Sequence, residues 1–234
     1  MRLFFYYFIL FFVYSVVGWM AESAFVAIKT KKFTNRGFLV GPYCPIYGCG
    51  TLIMILYLEQ YRDNVITVFI LGLVVCAILE YFTSYIMEKL FKARWWDYSD
   101  KKFNLNGRVC GENALLFGIG ALVVIYISQP FLSKTLFRTP NAILLIITLL
   151  ALSVFITDVV ISLNVVNKFK KTINNIDIKK DSTQDFSKLV SDYIRNNHKI
   201  FQKRLMIAFP GIDFNRLQNL KIEIKEEIQE FLKK

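Results

Sequence analysis

Apolar residues run in long uninterrupted blocks along most of this 234-residue chain, and polar positions are confined to the gaps between them. A helix needs about 20 apolar residues to cross a bilayer. Five blocks meet that length, at roughly 3–28, 38–58, 65–87, 114–127 with its flanks, and 142–163. The second is irregular. Gly41-Pro42-Tyr43-Cys44-Pro45 places two prolines within four residues, which no regular helix accommodates, so the block enters as an extended or re-entrant segment and turns helical after Pro45. Irregular backbone at membrane depth survives only where protein or a water-filled cavity covers it. The first block is longer than the apolar core of a signal peptide and lacks a small-residue cleavage site, so it is expected to remain as a span.

Past residue 163 the pattern changes to stripes. Phe186, Leu189, Val190, Tyr193, Ile194, Phe201 and Leu205 keep helical spacing up to Phe209-Pro210-Gly211; Leu217, Leu220, Ile224, Ile228 and Phe231 make a second stripe. The pattern predicts an all-α polytopic membrane protein with about five transmembrane helices, the second broken near Pro42–Pro45, followed by a cytoplasmic amphipathic helical hairpin. The boundary falls between a transmembrane domain, 1–163, and a basic helical tail, 164–234.

Composition agrees with that class. Hydrophobic residues make up 55% of the chain, 22 of them Phe, and the mean hydropathy is +0.41, outside the range of ordinary soluble domains. The net charge of +11 is unevenly shared, with +5 in residues 1–163 and +6 in the shorter tail. Lys and Arg also divide by side. The segments after blocks one, three and five hold 15 of them and the opposite side holds 4, which orients the amino terminus outside and the carboxyl terminus in the cytoplasm. Such basic collars meet anionic lipid headgroups. Nucleic-acid binding is the weaker reading and no such partner is expected, because no basic face with interleaved aromatics occurs in the tail. Cys44, Cys49, Cys76 and Cys110 form no C-x-x-C pair and the only histidine, His198, lies far from them, so neither a metal site nor a cofactor is predicted.

The charges inside the apolar blocks are the chemistry of this chain. An acidic residue at the centre of a membrane helix costs about 3 kcal/mol, and Glu22, Glu80 and Asp158 all fall toward one face, with Glu112 at the start of the fourth block. Arg36 and Arg108 stand in the two loops nearest Glu22 and Glu80 and can supply guanidinium partners. Three uses fit these carboxylates: a structural Glu–Arg network, a substrate- or proton-binding site, or catalysis. Asp158 has no base within its own block, so its partner must come from another helix. The loop from Arg94 to Arg108, rich in aromatics, is expected to be ordered and to cover the polar layer, with Asp97, Asn104 and Asn106 bonding the broken backbone around Pro42–Pro45.

Two further stretches are long and chemically unusual. One runs from Asn35-Arg36-Gly37 through Gly41, Pro42, Pro45 and Tyr47 to Gly48-Cys49-Gly50; the other is Trp95-Trp96-Asp97-Tyr98-Ser99 followed by Phe103-Asn104-Leu105-Asn106-Gly107-Arg108. Each has a plain reading as well: glycines that permit turns and close packing, tryptophans of an interfacial belt, and Asn106-Gly107 as a turn. Together with Gly18-Trp19-Met20-Ala21-Glu22, Leu79-Glu80-Tyr81 and the tail run from Arg204 to Pro210, they resemble the bacterial ABC-transporter type IV family of CmpB-like permeases. The resemblance implies a multi-pass protein of the bacterial cell membrane that serves as a permease-like transport component. The chain has no G-x-x-x-x-G-K-[ST] run, so the ATPase would be a separate nucleotide-binding subunit. Few spans for a pore point toward a homo-oligomer. Two other functions compete: a membrane scaffold or sensor that signals through its tail, and an intramembrane enzyme acting on a lipid-linked substrate through Glu22 or Glu80.

Overall fold

In lipid, every backbone N–H and C=O must be satisfied within the protein, so apolar blocks of this length fold as helices. The computed structural model describes residues 1–174 apart from 32, 34, 36, 92 and 93. It contains α1 (Arg2–Thr30), α2 (Pro45–Leu58), α3 (Val65–Phe91), α4 (Gly111–Val123), α5 (Gln129–Arg138) and α6 (Asn141–Asn174). A five-residue π-helical stretch, Val124–Ser128, joins α4 to α5. Pro130, which has no N–H to offer the preceding turn, stands two residues past its end. Among the described residues, four segments are long and apolar enough to cross a membrane: Arg2–Ile28, Val65–Leu90, Gly111–Arg138 and Asn141–Val165. The protein is an all-α polytopic membrane protein. The predicted tail hairpin lies outside the described residues.

The helix of the second apolar block is shorter than each of the four candidate spans. α2 has 14 residues, roughly 21 Å at about 1.5 Å per residue, against a hydrocarbon core of about 30 Å. Its N-terminus is Pro45, with extended Cys44 before it, and the Gly37–Cys44 segment is not helical.

The described residues divide into two compact units, Met1–Thr83 with Tyr98–Ser162, and Ser84–Asp97 with α6 from Leu163. In the second unit, Arg94 donates to Asp97 Oδ2 at 3.1 Å and lies 3.5 Å from Glu88. Lys89 stands over the Tyr85 ring.

Within the first unit, α1, α2 and α3 alternate in direction, α4 runs against α3, and α5 continues the direction of α4. On α1 and α2, Cys44 N donates to Ser15 O at 2.9 Å, Tyr47 reaches Glu22, and Ile55 packs with Tyr6 and Leu10. On α3 and α4, Glu80 meets Asn113 and the core of Met54, Leu58, Val68, Cys76, Ala121 and Ile125 fills the space beside α2. α1 and α6 run parallel, joined by Arg2 to Asn141 at 2.8 Å and by an edge-on contact of Phe11 with Phe155. Close approach is set by small residues. A Cβ at Gly48 would collide with Ser15 Oγ and the Phe11 carbonyl of α1.

Candidate functional site

Asn35 organises the segment that leads into the break. Its Oδ1 accepts from Trp19 Nε1 at 2.7 Å and from Gly37 N at 3.2 Å, while its Nδ2 donates to Val40 O at 3.0 Å. The following backbone turns away from helix, so the N–H groups of Val40 and Gly41 have no intrahelical acceptor. Asp158 of α6 supplies one. Its Oδ1 accepts from Val40 N at 2.9 Å and Ser162 Oγ at 3.0 Å, and its Oδ2 accepts from Gly41 N at 2.7 Å and Tyr43 Oη at 2.6 Å. Position 41 is closed to a side chain, since a Cβ there would lie 2.5 Å from the Tyr43 ring and 2.9 Å from Asp158 Oδ2. The expectation that Asn104 and Asn106 would bond this broken backbone does not hold. A carboxylate on α6, 115 to 118 residues away in sequence, does it instead.

The second group of residues centres on Glu80. This side chain is 8% exposed. Its Oε1 accepts from Tyr98 Oη at 3.3 Å and Asn113 Nδ2 at 3.4 Å, and its Oε2 is buried without a hydrogen-bond donor. Beside it, Tyr47 Oη donates to Glu22 Oε2 at 2.9 Å. Burial, then the nearby charges of Glu80 and Glu22, pushes the Tyr98 phenol well above its ordinary pKa, so it stays a neutral donor at physiological pH. Glu22, Tyr47, Glu80, Tyr98 and Asn113 thus share one layer, drawn from α1, α2, α3, the following loop and α4. Arg108 is not Glu80's partner. Its guanidinium lies over the Tyr81 ring, 5.7 Å from the centroid. Arg36 lies outside the described residues.

The loop that delivers Tyr98 is built by its own hydrogen bonds. Asn106 and Gly107 adopt positive φ, 54° and 65°, and Arg108 N closes the turn on Leu105 O at 3.0 Å, the geometry an Asn-Gly pair favours. Asn104 spans the loop, donating to Ser99 O and Lys101 O and accepting from Gly107 N. Asn106 Nδ2 donates to Tyr81 Oη at 3.0 Å, and Tyr98 N donates to Gly107 O at 2.8 Å. Trp96 and Asp97 fall in the other compact unit. Glu112, expected in the buried layer, is exposed and pairs with Lys101 at 2.8 Å.

A further polar cluster had no counterpart in the reading of the sequence. Buried Gln129 donates to Tyr6 Oη and Ser133 Oγ, each at 2.9 Å, and Tyr14 Oη lies 2.9 Å from Ser128 Oγ, all beside the π-helical stretch. A Gln-Pro pair inside an apolar run was the available signal.

The family model described as "Putative ABC-transporter type IV" matches residues 9–163 of this chain. No curated protein and no solved structure matches it.

Proposed function

Because the chain belongs to the ABC-transporter type IV family, we propose that it acts as a permease-like component with a polar site on the cytoplasmic side, driven by an ATPase on a separate subunit. One observation carries this reading: five elements of a lipid-suited bundle bring Glu22, Tyr47, Glu80, Tyr98 and Asn113 together instead of keeping polar groups out. Polar groups gathered inside a membrane domain mark ligand or ion pathways. The 15-to-4 asymmetry of Lys and Arg supports a bacterial plasma-membrane protein with its amino terminus outside. Residues 1–163 serve as the membrane domain and 164–234 as the basic tail that docks the nucleotide-binding subunit, meets anionic headgroups, or joins a second copy.

The test is purification from native membranes in mild detergent. A stoichiometric P-loop subunit whose ATPase activity depends on the tail supports the reading. A tail-dependent complex without ATPase activity replaces it with the scaffold or sensor. Turnover of a lipid-linked substrate that requires Glu22 or Glu80 replaces it with the enzyme.

A further inference from the structure

Two buried carboxyls of this unit are treated in opposite ways. Asp158 receives four hydrogen bonds between 2.6 and 3.0 Å, two of them from backbone N–H groups. That donor set solvates an anion. Glu80, comparably buried, receives two at 3.3 and 3.4 Å, both on one oxygen and both from neutral groups. Its other oxygen is buried and receives none. An ionised carboxylate removed from water in that state is strongly disfavoured, and among the described residues no further donor reaches its second oxygen. A proton bound to that oxygen would neutralise it.

We propose that Glu80 is a proton-binding site of this membrane domain, its Oε2 taking a proton from water and returning it. The site is suited to a proton more than to a metal ion. A metal ion of the hard class takes about six oxygen ligands, whereas Glu80's two neighbours aim hydrogens at Oε1, and no group of three acidic, Cys or His side chains is placed for a metal among the described residues. A proton needs one oxygen, and Oε2 is the one left. The neighbouring elements contribute Glu22 from α1, Tyr47 from α2, Tyr98 and Cys110 from the loop, Asn113 from α4, and Cys76 one turn earlier on α3. This inference rests on the reading of the layer as the polar site of a permease-like component and adds what that site carries.

The experiment is an infrared pH titration of the full chain in lipid nanodiscs, following the C=O stretch of protonated carboxyls. It needs no transport, so a missing ATPase subunit leaves it interpretable. The expected result is a band that disappears reversibly as pH rises, is absent in Glu80→Gln, and persists in Glu22→Gln. A band that survives Glu80→Gln overturns the assignment. If Glu80→Gln does not fold, Tyr98→Phe replaces it: loss of the Tyr98 donor to Oε1 shifts the band, and an unshifted band overturns the proposal. Sodium or potassium added at fixed pH leaves the band unchanged; a band abolished by either ion overturns the proton in favour of a metal cation.

Discussion

Asp158 is the residue on which the broken segment depends. Its carboxylate gathers Val40 N, Gly41 N and Tyr43 Oη, groups that would otherwise face an apolar surround. Asp158→Asn keeps the shape but turns an NH2 toward donors, leaving at least one of them unsatisfied. The expected loss is about 3 kcal/mol, since each buried donor left without an acceptor costs about 1–3 kcal/mol. Ser162→Ala removes the hydroxyl that donates to Asp158 and accepts from Val40 N, while Val40 N keeps Asp158 Oδ1 as acceptor, and is expected to cost about 1 kcal/mol. Chemical unfolding of both variants in detergent measures the difference. Equal losses would mean that the hydroxyl, not the charge, holds the segment.

At the scale of elements, α1 and α2 touch through positions where a side chain does not fit. Gly48→Ala would drive a methyl into Ser15 Oγ and the Phe11 carbonyl, and backbone cannot yield as a flexible side-chain end does. The expected cost is about 1–3 kcal/mol, the range for overpacking. Gly120 of α4 is the control, because a Cβ there meets nothing within 4 Å. Gly120→Ala is expected to be neutral or to stabilise by up to about 1 kcal/mol through helix propensity. Thermal unfolding of the two variants tests the contact geometry, and similar melting shifts would contradict it.

At the scale of the whole molecule, the directions of the helices bear on membrane topology. α2 is too short to cross alone, yet it runs antiparallel to α1 and to α3. The irregular Gly37–Cys44 segment, capped by Asp158, lies between the end of α1 and the start of α2, and a crossing made by segment and helix together is the expected topology. Reporter fusions after Asn64, Lys102 and Lys234 are therefore expected to read outside, inside and inside. If the Asn64 fusion matches the Lys102 fusion, the segment and α2 form a re-entrant loop that does not cross.

Several features of this protein are determined by the sequence alone because they depend on short-range properties of the chain. Block length and apolarity suffice for the long helices. Pro42 and Pro45 suffice for the break before α2, and Asn106-Gly107 for its turn, because backbone sterics act within a few residues. The shared depth of Glu22 and Glu80 also follows from counting along the spans. Which groups meet is another matter, since it depends on how each helix is rotated about its axis and on partners more than 100 residues apart. Only the tertiary structure placed Asp158 against Val40 and Gly41, turned Glu112 outward to Lys101, and joined Tyr6 to Gln129. It also decided that Glu80, equally acidic and equally deep in the pattern, keeps an oxygen with no donor while Asp158 is fully answered. A rotation that moves a side chain by one helical face changes its partners completely and leaves the hydropathy of the chain unchanged.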